Sequence, residues 1–167
     1  MKGLIKDILV VLVVVLVVSF FIKPIIVKKT SMLPTLQENN YLLLNKQAYT
    51  FGEPKRGDIV VFPVETAEGK DFYVKRVIGL PGEEIDITGE QVYINNALLE
   101  ESYTAEGITP GEVRNFIVPQ GELYVMGDNR TVSLDSRSQE LGTIPIEKIT
   151  GVAMIRLYPF NKFGRIT

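Results

Sequence analysis

A chain of 167 residues with 18 Lys and Arg against 20 Asp and Glu, a net charge of −2, no cysteine and no histidine is restricted in its chemistry before any motif is read. Without cysteine there is no disulfide, thiol nucleophile or thiolate-bound zinc, and without histidine there is no Ser-His-Asp triad, no H-E-x-x-H zinc site and no imidazole base. A hydrolase built from these residues must take its base from Lys, Asp, Glu or Tyr, and the near-neutral balance offers no basic face to a nucleic-acid backbone.

The first element is apolar. "ILVVLVVVLVVSFFI", residues 8–22, holds no charge. At ~1.5 Å per residue this run falls short of a ~30 Å hydrocarbon core, but counting from Leu4, with Lys6 able to snorkel, lengthens it enough. Residues 4–22 are expected to form one spanning helix, with Pro24 marking its exit. The competing reading is a cleaved signal peptide, for which "VVS" at 17–19 offers small or branched residues. Against it, Phe20, Phe21 and Ile22 would leave a greasy stump on the mature chain. Lys2 and Lys6 stand before the run and Lys23, Lys28 and Lys29 after it, so the positive-inside rule does not orient the segment.

Beyond the anchor, strand signals dominate. "IVVF" 59–62, "FYVKRVIG" 72–79, "QVYIN" 91–95, "ELYVM" 122–126 and "VAMIRLY" 152–158 are short, β-branched and aromatic-rich. Turn sequences such as "PKRGD", "LPGE", "TGE" and "PQGE" separate them. The expected fold is mainly β: an antiparallel open barrel or sandwich after one N-terminal helix. Residues 84–121 read as a small β cap, a hairpin followed by a loop rich in Glu, Gly and Thr. It is inserted into a catalytic domain made of 23–83 and 122–167, with 1–22 as cytoplasmic tip and anchor. From Glu83 to Glu122 there are nine acidic residues and one basic residue, Arg114.

With imidazole excluded, lysine is the candidate base. Most lysines sit in turns or beside other charges, whereas the period-two alternation of a strand places Lys75 on one face with Tyr73 and Val77. Burial on such a face disfavours the ammonium and lowers its pKa, which would let a neutral amine take the proton of Ser31 in "SMLPTL". Taken alone, Lys75 reads more readily as an edge-strand lysine and Ser31 as a turn serine before Pro34. The third stretch, "GDNRTVSLDSR" at 127–137, packs acids, arginines and hydroxyls too densely for an ordinary loop. Its acid–arginine pairs could brace one another, and a hydroxyl could hold a lysine amine in line.

Four blocks in order, "SMLPTL" 31–36, "RGDIVVF" 56–62, "YVKRVIGLPGE" 73–83 and "GDNRTVSLDSR" 127–137, together with the anchor and "YPF" near the C-terminus, resemble the bacterial type I signal peptidases of the small, single-anchor kind. The resemblance implies Ser31 as nucleophile, Lys75 as general base and Ser133 as the partner that orients the amine. Asp135, Arg76 and Arg137 would hold the loop, with Asp128, Asn129, Arg130 and Ser136 supporting the site. Val27, Met32, Leu36, Tyr73 and Val74 match positions that line the substrate pockets. The implied reaction is removal of signal peptides from secreted preproteins after small residues at −1 and −3. It would be catalysed by a monomer with no cofactor and no metal, its catalytic domain outside the membrane and its N-terminus in the cytoplasm.

Two positions depart from the pattern. Lys29 stands where the family usually has Gly or Ser two residues before the nucleophile. This leaves the Ser31 backbone N–H as one oxyanion donor and either the backbone N–H or the ammonium of Lys29 as the second. Glu83 replaces the common Asp after "LPG". Two rivals are a soluble self-cleaving repressor-type peptidase, which lacks an anchor, and a catalytically dead, membrane-tethered binding module.

Overall fold

The computed structural model describes residues 2–67 and 69–166. One α-helix, α1 (Lys2–Phe21), is followed by strands β1 (Ile22–Ile26), β2 (Tyr41–Asn45), β3 (Ile59–Thr66), β4 (Gly69–Gly79), β5 (Glu84–Thr88) and β6 (Gln91–Ile94). Then come β7 (Ala97–Leu98), β8 (Val113–Ile117), β9 (Glu122–Met126), β10 (Ile144–Pro145), β11 (Gly151–Tyr158) and β12 (Gly164–Arg165). The fold is the expected one, mainly β and antiparallel after an apolar helix.

Residues Gly3–Phe21 of α1 are long and apolar enough to cross a membrane, and none of them is buried against the rest of the chain. The helix stops one residue earlier than the apolar run, because Ile22 already pairs with Asn45 in a β ladder. Its last carbonyls, which no helix can satisfy internally, are taken up by the far end of β2. Lys46 N–H donates to Phe21 O at 2.8 Å, Lys46 Nζ to Ser19 O at 2.9 Å, and Gln47 Nε2 to Phe20 O at 3.2 Å. The β domain is thus tied directly to the end of the anchor. Pro24 does not end the structure; it lies within β1, an edge strand with a free side on which a missing N–H costs nothing.

The main sheet runs β1-β2-β11-β3-β4-β9-β10, with β12 also on β11; a second sheet runs β7-β6-β5-β8. The continuous run "IVVF" has no polar alternation because β3 is covered on both faces. Ile59 and Val61 join Val27, Met32, Leu36, Leu42 and Leu44 in one core cluster, while Val60 and Phe62 join Val77, Leu123 and Val125 in another. The strand continues through Pro63, which is tolerated because β11 pairs with β3 only at Val60 and Val61.

A third cluster, of Ile78, Ile85, Ile87, Val92, Val118, Tyr124 and Met126, seats the small sheet on the ends of β4 and β9. Gly79 makes this seat possible: a Cβ there would lie 2.6 Å from Ile85 Cδ1 and 3.0 Å from Tyr124 Cβ.

Candidate active site

β4 is the central strand of the site. Its residues Asp71, Tyr73 and Lys75 alternate along one face, and β3 and β9 flank it, so the chain around Lys75 is dry. Lys75 is 2% exposed. Burial pulls its pKa from 10.5 down to about 8; Asp135 and Asp128 oppose that displacement, whereas the positive charges of Lys29 and Arg137 assist it. The amine donates to Ser133 Oγ at 2.7 Å and lies 5.6 Å from the centre of the Tyr73 ring.

Ser31 begins a compact turn in which Leu36 N–H donates to Met32 O at 2.8 Å. The turn is fastened to the loop carrying Ser133: Asn129 N–H donates to Ser31 O at 3.0 Å and Ser133 N–H to Asn129 O at 3.1 Å. Gly127 marks how tightly the two segments meet. A Cβ on it would overlap Ser31 O and Ser133 Oγ and would sit 2.7 Å from Ser133 Cβ. Ser31 and Lys75 line the same cleft, of about 810 Å³. Among the described residues no hydrogen bond joins Lys75 Nζ to Ser31 Oγ, a loose arrangement common in substrate-free sites that tighten on binding.

The 127–137 loop is braced by buried ion pairs. Arg76 Nε and Nη2 each donate to Asp128 at 2.8 Å, with both side chains almost wholly buried. Arg137 donates to both oxygens of Asp135 at 2.9 and 3.0 Å, and Asp135 in turn accepts Gly127 N–H at 3.1 Å. Although burial pushes the Asp135 carboxyl up, Arg137, the Ser133 hydroxyl and the Gly127 N–H together outweigh it and hold the pKa below the usual value. Ser136 exchanges two hydrogen bonds with the Val125 backbone, which fixes the loop to β9.

Asp128 therefore pairs with β4 rather than with its neighbour Arg130, an arrangement that spacing along the loop does not reveal. Arg130 turns instead to Glu101 and Thr109 of the 84–121 segment.

The cleft walls come from residues 23–32 on one side and 71–75 on the other, with Val132 and Leu134 beside them. Val27, Met32, Tyr73 and Val74 are in these walls. Leu36 is not; it is fully buried behind them in the core with Val27 and Met32. Lys29 reaches across to Asp71 at 2.6 Å, its ammonium 4.2 Å above the Tyr73 ring. Burial works against that charge, but Asp71 and Tyr73 outweigh it and raise its pKa. Glu83 accepts from Leu80 N–H at 2.7 Å and pairs with Arg56, so the longer acid still closes its turn. The "RGD" at 56–58 is internal structure: Asp58 accepts from Tyr49 Oη at 2.9 Å and from Lys55 N–H at 3.0 Å.

Sequence reasoning missed Asp71, Glu101, Tyr103 and the steric role of Gly127. Of these, only Asp71 carried a usable signal, because it continues the alternating row of Tyr73 and Lys75.

The chain is thus an apolar helix fused to an antiparallel β domain, whose apolar cleft is lined by a buried lysine and a serine in a protein with no histidine. Residues 1–158 match the family described as "Signal peptidase, peptidase S26". Signal peptidase I T of Bacillus subtilis is 38% identical over 161 residues, covering 91% of this chain and 82% of that one. The Bacillus licheniformis signal peptidase I is 36% identical, with 96% and 90% covered. A Synechocystis protein named "Probable signal peptidase I-2" is 39% identical over 84% of this chain, which spans 65% of that relative's length. Among solved structures, a signal peptidase I from Enterococcus faecalis superposes with a TM-score of 0.50 at 30% identity, covering 60% of this chain and 96% of that one. The chain belongs to the signal peptidase family, peptidase S26.

Proposed function

We propose that this chain removes signal peptides from secreted preproteins with Ser31 as nucleophile and Lys75 as general base. The observation that carries the reading is the Lys75 amine, buried, directed by Ser133 and lining the same cleft as Ser31. With a pKa of about 8, a useful fraction of the amine is neutral at physiological pH and able to accept a proton.

In the first step Lys75 takes the Ser31 hydroxyl proton as Oγ attacks the scissile carbonyl carbon. The tetrahedral oxyanion is met by the Ser31 N–H, which donates no other hydrogen bond among the described residues. Because the Lys29 ammonium is held by Asp71, the second donor is the Lys29 backbone N–H rather than its side chain. Collapse expels the mature chain's amine, protonated by the Lys75 ammonium, and leaves an ester on Ser31. Lys75 then deprotonates a water, which hydrolyses that ester.

The substrate lies extended between residues 25–29 and 72–75, adding a strand to the walls, and small side chains at −1 and −3 enter apolar pockets beside Val27, Met32, Tyr73 and Val74. Since the wall residues begin two positions after α1, the cleft opens where a signal peptide leaves the bilayer. The enzyme acts as a monomer, anchored by α1, with its N-terminus cytoplasmic and its β domain outside.

The test is cleavage of a preprotein with an Ala-x-Ala site by detergent-solubilised protein. Wild type should release the mature chain, whereas Ser31→Ala and Lys75→Arg should not, since a guanidinium stays protonated. Cleavage by Ser31→Ala would refute the assignment.

A further inference from the structure

The acidic segment between β6 and β8 would ordinarily be read as a solvated surface, and most of its carboxylates are one. Glu101 is not. It accepts Arg130 Nη1 at 2.8 Å and Nη2 at 2.5 Å, with only 1% of the Arg130 side chain and 10% of its own exposed. Tyr103 Oη donates to the same carboxylate at 2.8 Å, and its ring lies 4.0 Å from the Arg76 guanidinium. Thr109 Oγ1 accepts from Arg130, Pro110 O accepts Arg137 Nη1 at 2.9 Å, and Ala105 N–H donates to Asp128 O at 3.4 Å. Within the ten-residue stretch 101–110, four residues, Glu101, Tyr103, Thr109 and Pro110, thereby touch all three arginines of the site.

Following one of these links inward leads to the chemistry. Arg130 Nε donates to Gly127 O at 2.8 Å, and Gly127 N–H donates to Asp135 at 3.1 Å, so both polar groups of the glycine are pinned. Gly127 in turn has no room to spare against Ser31 O and the Ser133 hydroxyl that directs Lys75. We infer that Glu101 and Tyr103 are positioning residues of the reaction: through Arg130 and Arg76 they hold Gly127 and Ser133 where the lysine amine needs them. The inference rests on the signal peptidase reading given above. It gives the 84–121 segment a task, which is to form the rear support of the catalytic loop.

Without the Glu101 charge, the Arg130 guanidinium is left buried and uncompensated, and it must turn away from Gly127 to find water. Ser133 then loses its register with Lys75, which costs turnover; the two main cleft walls, residues 23–32 and 71–75, stay in place, and of the lining only Val132 and Leu134 share the displaced loop.

The experiment compares full-length wild type, Glu101→Gln, Arg130→Gln, the double variant and Ser31→Ala on one preprotein. Thermal unfolding confirms that each is folded at the assay temperature. Glu101→Gln should lower kcat about 10-fold, the usual cost of removing such a support, with KM within about twofold. Glu112→Gln, on the exposed part of the same segment, should leave both unchanged. In the Arg130→Gln background, Glu101→Gln should have little further effect, because both residues act through one contact.

The inference falls if folded Glu101→Gln keeps wild-type kcat, if only KM changes, or if the two substitutions lower kcat independently. Should Glu101→Gln not fold, Tyr103→Phe keeps the ring on Arg76 and removes only the hydroxyl. A kcat reduced several-fold is expected there, and wild-type kcat overturns the inference. An active Ser31→Ala enzyme would instead sink the underlying reading, whatever Glu101→Gln does.

Discussion

Replacing Lys75 by methionine should silence the enzyme and stabilise it at neutral pH. A lysine whose pKa falls from 10.5 to about 8 is one whose ammonium the folded protein holds at a cost. At 1.36 kcal/mol per pH unit that cost is about 3 kcal/mol. Below pH 8 the amine is protonated in both the folded and the unfolded chain, so the full cost is present. Between pH 8 and 10.5 the folded protein has released the proton while the unfolded chain still binds it, so wild-type stability rises with pH. Above 10.5 the difference is gone.

Methionine fills a similar volume without charge, and losing the bond to Ser133 returns about 1 kcal/mol, for a net gain of about 2 kcal/mol below pH 8. For a chain of this size that is about 4–8 °C in melting temperature. Thermal unfolding in detergent at a series of pH values would show the advantage shrinking toward pH 10.5. With Lys75 as the proposed base, the same ionisation would set the rate. About a tenth of the amine is neutral at pH 7, against about 3 in 10,000 for an unperturbed lysine. Wild-type kcat/KM should therefore climb through about pH 8 and level off, with no inflection near ~6.5. A Lys75→Met protein that melts lower than wild type at pH 7, or a wild-type rate still climbing at pH 10.5, would refute the account.

Gly127→Ala should reduce kcat about 100-fold, since displacements of about 1 Å among reacting groups cost that much, and steady-state kinetics on a preprotein would measure it. Lys29→Met removes a positive charge that holds the Lys75 pKa down, so the rise of kcat/KM should move to higher pH, as a pH–rate profile would record. Asp128→Asn leaves Arg76 buried without its partner and should cost about 3–5 kcal/mol in a denaturant titration.

The period-two pattern of "FYVKRVIG" made Lys75 legible, because a charged side chain on an apolar strand face is either snorkelling or dry, and the matching blocks around it, not the pattern, decided for the dry reading. The same pattern was silent about Arg76: β4 is covered on both faces, so its other row is buried too. β2 was overlooked because "YLLLN" is unbranched in its middle, and β1 because a proline within it argues against a strand unless the strand is known to be an edge.

Nothing in the spacing of "GDNRTVSLDSR" says that Asp128 leaves the loop for Arg76 while Arg130 takes its acid from a residue 29 positions away. Pairings of that kind depend on which segments the topology brings together. The space at Gly127 is of the same sort, since a glycine in a "GDN" turn reads as a matter of backbone conformation until the neighbours that would meet a Cβ are known.

The charges around Lys75 explain why dryness can govern it. Asp135 and Asp128 favour its ammonium, whereas Lys29 and Arg137 disfavour it, so the two sets oppose each other and burial remains the largest influence. That balance depends on each acid having its own guanidinium. Asp135 is ionised, buried and close enough to act on the amine; unopposed, it would draw a proton back onto Lys75. Arg137 prevents this by occupying both carboxylate oxygens and by adding a positive charge of its own.

Arg137→Gln should therefore raise the Lys75 pKa. Each tenfold drop in free amine at pH 7 lowers the rate there about tenfold, and it is regained in alkaline buffer as the amine is released. A purely structural role for Arg137 predicts something else: a loss of equal size at every pH. The ratio of variant to wild-type kcat/KM, followed from pH 7 to pH 10, separates the two. A flat ratio would mean that the arginine serves the loop and not the proton.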